Sequence, residues 1–97
     1  MDKGDIIAIE ELCTHYQLEP VFFDTIHEFG LIECSIIDES KYVHQEIIKD
    51  IETIIHLHLE LEINLQGVEA ILHLLQKVNH LQSELDAARI KLNQFEI

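Results

Sequence analysis

The sequence predicts a mostly α-helical fold: a helix-turn-helix, a small β wing and a long C-terminal coiled-coil helix. Three observations carry that expectation. Glycine occurs 3 times and proline once in 97 residues, too little punctuation for a many-stranded sheet. Apolar residues recur at helical spacing in several stretches. The last stretch holds an unbroken heptad seam. Ninety-seven residues suffice for one domain but not for two ordinary ones, and 47% apolar content is enough for a core.

Ile6 to Ala8 read as a short extended lead-in. Ile9, Leu12, Cys13 and Tyr16 then recur at i, i+3, i+4, i+7, one face of a first helix. Gln17 to Glu19 break the pattern. Glu19-Pro20 reads as a new helix start, because proline is tolerated in the first turn. Phe22, Phe23, Ile26 and Phe29 supply the apolar face of this second helix. Gly30 ends it, being at ease with positive φ past a helix C-terminus. Two short helices with a brief break between them make a helix-turn-helix candidate.

The stretch from Leu31 to Val43 holds β-branched residues around the acidic turn Asp38-Glu39-Ser40, which predicts a short hairpin. Helical period resumes from Gln45 or Glu46 through Ile47, Ile48, Ile51, Ile54 and Ile55. His56 to Ile63 alternate strictly and alone would pass for a strand. With no breaker before them, they are expected to continue the helix. Asn64 is placed as the N-cap of the last helix. There Ile71, Leu74, Val78, Leu81, Leu85, Ala88, Leu92 and Phe95 are spaced 3, 4, 3, 4, 3, 4, 3. A helix packed on its own domain shows a wider, less regular stripe, so this seam predicts a coiled-coil homodimer. The expected division is residues 1–63 for the helix-turn-helix with its linking helix and 64–97 for dimerisation.

Lys and Arg number 6 against 19 Asp and Glu, a formal net charge of −13. Such a chain repels the phosphate backbone and attracts a basic protein surface. No apolar run is long enough to span a membrane. Met1 to Asp5 carry two acids and one lysine and lead into no long apolar stretch. No secretory signal is therefore expected, and a cytoplasmic location is the default. Cys13 and Cys34 lack CxxC spacing and sit among apolar neighbours, as reduced core thiols do.

Several stretches resemble a known family. Leu18-Glu19-Pro20-Val21-Phe22-Phe23-Asp24 and Phe29-Gly30-Leu31-Ile32 resemble the second helix and closing turn of MerR-like proteins. Glu62-Ile63-Asn64-Leu65-Gln66-Gly67-Val68-Glu69-Ala70-Ile71 resembles the lead into their fourth helix. More closely, Ile9-Glu10-Glu11-Leu12-Cys13-Thr14-His15, Phe29-Gly30-Leu31-Ile32-Glu33, Tyr42-Val43 and the tail from Val78 to Phe95 resemble the CbpM chaperone-modulator branch. The resemblance spans roughly residues 6 to 95. It implies a winged helix-turn-helix, an antiparallel dimer, and restraint of a DnaJ-like cochaperone through its J-domain. Parallel pairing would instead set Glu84 against Arg89 and Lys91 against Glu96.

DNA-binding members of that family carry an arginine in the second helix where this chain has Asp24. Their wing carries basic residues, whereas Ile36, Ile37, Asp38 and Glu39 fill that region here and only Lys41 is basic. A second helix without Lys or Arg from Gln17 to Gly30 has little to offer the major groove. DNA binding is therefore not expected.

Seven histidines raise a metal question. His56 and His58 are two apart and point to different helix faces. His73 and His80 are seven apart, about 10 Å along a helix. Neither pair has the i, i+4 spacing of helical zinc ligands, so no metal is expected. Cys13 with His15 is i, i+2, a poor nucleophile–base pair. No catalytic residue and no cofactor are predicted. What remains is the exposed face of the second helix: Val21, Asp24, Thr25 and Glu28, with Phe22 beside it. One of Phe22 and Phe23 must point partly outward, since adjacent helical residues lie about 100° apart. An aromatic anchor in an acidic rim suits a basic protein partner. The leading expectation is a modulator of a J-domain protein. The alternatives are a MerR-like DNA-binding transcriptional regulator and a bare dimerisation module.

Overall fold

The computed structural model describes residues 5–95. Expectations resting on residues 1–4 and on a Lys91–Glu96 pair lie outside them. The chain divides into two compact units, Met1–Leu65 and Gln66–Ile97.

In the first unit, β1 (Ile6–Ala8) leads directly into α1 (Ile9–Tyr16), and α2 (Pro20–Glu28) follows after a short break. A hairpin of β2 (Ser35–Ile37) and β3 (Ser40–His44) comes next. A 3₁₀ turn (Gln45–Ile47), α3 (Ile48–Ile55) and a π-helical turn (His56–Glu60) complete the unit. The second unit is built on α4 (Leu65–Gln94).

The helix boundaries follow local chemistry. Glu10 and Glu11 sit in the first turn of α1, where negative charge suits the positive end of the helix dipole. Gln17 then turns left-handed at φ 57°, and the Leu18 amide reaches back to the Cys13 carbonyl at 3.0 Å. Glu19 is extended ahead of Pro20. At the far end of α2, Gly30 adopts φ 90°. The Gly30 amide bonds the His27 carbonyl at 3.0 Å and the Leu31 amide bonds that of Ile26 at 2.9 Å. This is the paired pattern of a Schellman cap.

The sheet is antiparallel in the order β1-β3-β2. Ile37 faces Ser40 across a two-residue turn whose residues, Asp38 and Glu39, have φ of 52° and 68°. Two positive φ values match the twist that a tight hairpin demands. Val43, on the inner side of β3, is buried together with Ile9, Leu12, Phe23, Ile26, Ile32, Ile51, Ile54 and Leu57.

Phe29, expected on the apolar face of α2, is exposed: it is the C-cap at the end of the helix, where the Schellman turn at Gly30 begins. The helix expected to run from Gln45 to Ile63 stops at Glu60. Its last turn widens to π geometry, with the Leu61 amide on the His56 carbonyl at 3.0 Å. Glu62 then turns left-handed at φ 58°. Strict alternation explains the stop. Leu57 is buried while Leu59 and Leu61 are exposed, since no helix can turn all three toward one core. The helix resumes at Leu65, leaving Asn64 just before its first residue.

Candidate protein-binding face

The second helix of the helix-turn-helix shows which of its side chains are free. Phe23 and Ile26 point inward and are buried. Phe22 is half-buried: it meets Phe23 edge-on at 5.4 Å and stacks on the His58 imidazole at 6.4 Å and 25°. His58 is itself held by its Nδ1–H, which donates to the Ile63 carbonyl at 2.7 Å. Phe22 therefore braces α2 on the turn after α3 while staying partly exposed.

Asp24, expected as an open acidic contact, is engaged. Its Oδ1 accepts from Lys41 Nζ of β3 at 2.8 Å, and both side chains remain partly exposed. Asp24 holds the Lys41 ammonium protonated above the usual lysine range. The one Lys or Arg of the wing is thus paired with α2 of the same chain. Thr25 uses its hydroxyl on the Val21 carbonyl at 2.8 Å. Val21 and Glu28 stay exposed. The wing adds one apolar residue to this face, Ile36. Ile36 and Ile37 are exposed, and Ile36 lies directly across from Lys41. Neighbours along a strand point to opposite sides, so only Ile36 shares the side of Lys41. The β-branched character of Ile36 and Ile37 predicts the hairpin but not that both would be left exposed.

The elements behind this face are tied by Tyr16, whose hydroxyl donates to Glu52 Oε2 of α3 at 2.8 Å. Burial first, then the hydrogen bond to the Glu52 carboxylate, pushes the Tyr16 phenol above its ordinary value of 10. The native state thus keeps this proton more tightly than the unfolded chain. Its stabilising contribution is complete below the unfolded value and is lost as pH rises through the native one. Phenolate absorbance during alkaline titration should show Tyr16 ionising late. Glu52→Gln should shift that ionisation back toward 10, and an unchanged profile would show that Glu52 does not control this proton.

The cysteines are half-buried and unpaired. Burial, with Glu19, Asp24 and Glu10, raises the Cys13 thiol. Burial raises Cys34 too, against the lowering effect of Lys41. Protonated thiols are weak nucleophiles at neutral pH. His56 pairs with Glu60 and His80 with Glu84, each at 2.8 Å. Among the described residues no three His, Cys, Asp or Glu side chains gather around a common metal position. No described helix is long and apolar enough to cross a membrane.

On α4, Ile71 is half-buried, and every residue from His73 to Phe95 is exposed. Leu74, Val78, Leu81, Leu85, Ala88, Leu92 and Phe95 therefore form an apolar stripe open to solvent along a helix about 45 Å long. An isolated helix with such a stripe is poorly stable in water and gains by pairing.

A family model described as MerR HTH family regulatory protein matches residues 7–89. No curated protein and no solved structure matches the chain.

Proposed function

The chain belongs to the MerR HTH family of regulatory proteins, and from that premise we propose that it regulates by binding a J-domain protein rather than DNA, without catalysing a reaction. The observation that carries this reading is the charge of the second helix and wing. From Gln17 to Ser40 there is no Lys or Arg, and Lys41 is bound to Asp24. Phosphate affinity rests mainly on Lys and Arg, and the only one this surface offers is paired with Asp24. The sequence's likeness to CbpM-type modulators supports a basic J-domain as the partner, with the acidic helix face as its counterpart.

Fluorescence anisotropy decides between the two partners. Labelled J-domain should bind the protein, and mixed duplex DNA should not bind it at physiological salt. Salt-sensitive DNA binding at micromolar protein, with no J-domain binding, would overturn the reading in favour of a transcriptional regulator. Glu28→Lys is the cleaner charge test, because Asp24→Lys would also set a second cation against Lys41. It should slow J-domain association and flatten its salt dependence.

The same reading assigns residues 1–63 to the partner face and 64–97 to a homodimer closed along the α4 stripe, in a cytoplasmic protein. In an antiparallel pair centred between Val78 and Leu81, Val78 stands against Leu81 of the second copy, Leu74 against Leu85 and Ile71 against Ala88. That register sets Lys77 beside Glu84 of the other helix, twice, by symmetry. Cysteine cross-linking in a Cys13→Ser, Cys34→Ser background tests it. Val78→Cys alone should not cross-link, whereas a mixture with Leu81→Cys should. Cross-linking of Val78→Cys with itself would instead indicate parallel helices.

A further inference from the structure

Val43 and Lys41 alternate on one side of β3, and Val43 is buried, so this is the inner side of the hairpin. Ile36 is the cross-strand partner of Lys41 and shares that side. Lys41 rests on Asp24 of α2. Level with Lys41, and one step nearer the hairpin tip than Val43, Ile36 is 70% exposed, although it continues the row that Val43 begins. The wing thus carries an inner-face isoleucine with little cover.

On α2, Val21, Asp24 and Glu28 fall at i, i+3, i+7 and line one stripe. Val21 is 64% exposed. Two uncovered β-branched side chains therefore flank the Asp24–Lys41 ion pair, one from each element. The rim around them is acidic, with Glu28 on α2 and Asp38 and Glu39 at the hairpin turn.

We infer that Val21 and Ile36, bridged by the Asp24–Lys41 pair, form one docking surface for a protein helix that presents apolar side chains between lysines or arginines. The charge of the rim selects that occupant. A second copy of this chain would bring the same acids against themselves, and nucleic acid would bring phosphates. A cationic helix answers both the apolar seats and the rim. The ion pair acts as a positioning element: it fixes the wing over α2, so the two seats keep one spacing.

The inference rests on the J-domain reading and is tested with a J-domain as the probe. Ile36→Ser and Val21→Ser should each weaken binding about tenfold or more, mainly through faster dissociation. Leu59→Ser, an exposed apolar residue outside this surface, should leave affinity unchanged. Circular dichroism melting of each variant separates binding loss from unfolding. Methyl NMR of the unmutated protein gives a second measurement: the Ile36 and Val21 methyl resonances should shift as J-domain is added. J-domain that binds without moving those methyls, or that binds the Ile36→Ser and Val21→Ser variants as tightly, would overturn this surface and leave the proposed function standing. Absence of any J-domain binding to the unmutated protein would overturn both.

Discussion

In the homodimer proposed above, Leu81→Asp is expected to convert dimer to monomer. Leu81 lies near the middle of the α4 stripe and is exposed in the single chain, so the monomer tolerates the change. In the proposed pair it would bury a carboxylate in the apolar seam, once from each side. An unpaired buried charge costs several kcal/mol, enough to dissociate most small dimers. Sedimentation equilibrium reads the outcome directly. Helical circular dichroism should fall as well, because a released α4 loses the packing that sustains a long helix. A variant that remains dimeric with its helicity intact would place the interface off this stripe.

Phe23→Ala should be the most damaging single truncation in the first unit. Phe23 is 1% exposed, at the centre of the packing of α2. Removing a buried phenylalanine costs about 3–5 kcal/mol, from the lost transfer free energy and the cavity left behind. A small domain holds only about 5–15 kcal/mol in total. The variant is therefore expected to be largely unfolded or to melt far below the parent. Phe22→Ala makes the contrast, since its ring is half-buried between Phe23 and His58. It should cost less, on the order of 1–2 kcal/mol. Denaturant unfolding of the pair checks the order. Equal losses would show that Phe22 is as central to the core as its neighbour. Because Phe22 also braces the fold, a binding defect in its alanine variant has to be set against that loss of stability.

Much of the fold was legible because helical spacing and local breakers agreed. Pro20 and Gly30 bracket α2 in the sequence as they do in three dimensions, and the acidic pair Asp38-Glu39 marked the hairpin. The break at Glu62 was hidden. Left-handed turns are usually signalled by glycine, and here glutamine and glutamate take that conformation at Gln17 and Glu62. Only packing reveals them: once Leu57 is buried, Leu59 and Leu61 cannot follow it, and the chain leaves the helix.

By itself the sequence determined the charge of the helix-turn-helix surface and the heptad stripe, because both depend only on which residues occur and at what spacing. An absent arginine cannot be supplied by folding. The tertiary structure alone decided which of the predicted site residues are free. It committed Asp24 to Lys41, turned Phe22 onto His58 and left Ile36 uncovered beside Lys41. These outcomes join residues far apart in the chain, such as Asp24 with Lys41 and Phe22 with His58. They depend on the sheet register and on the seating of α2 against its neighbours, neither of which a local pattern encodes.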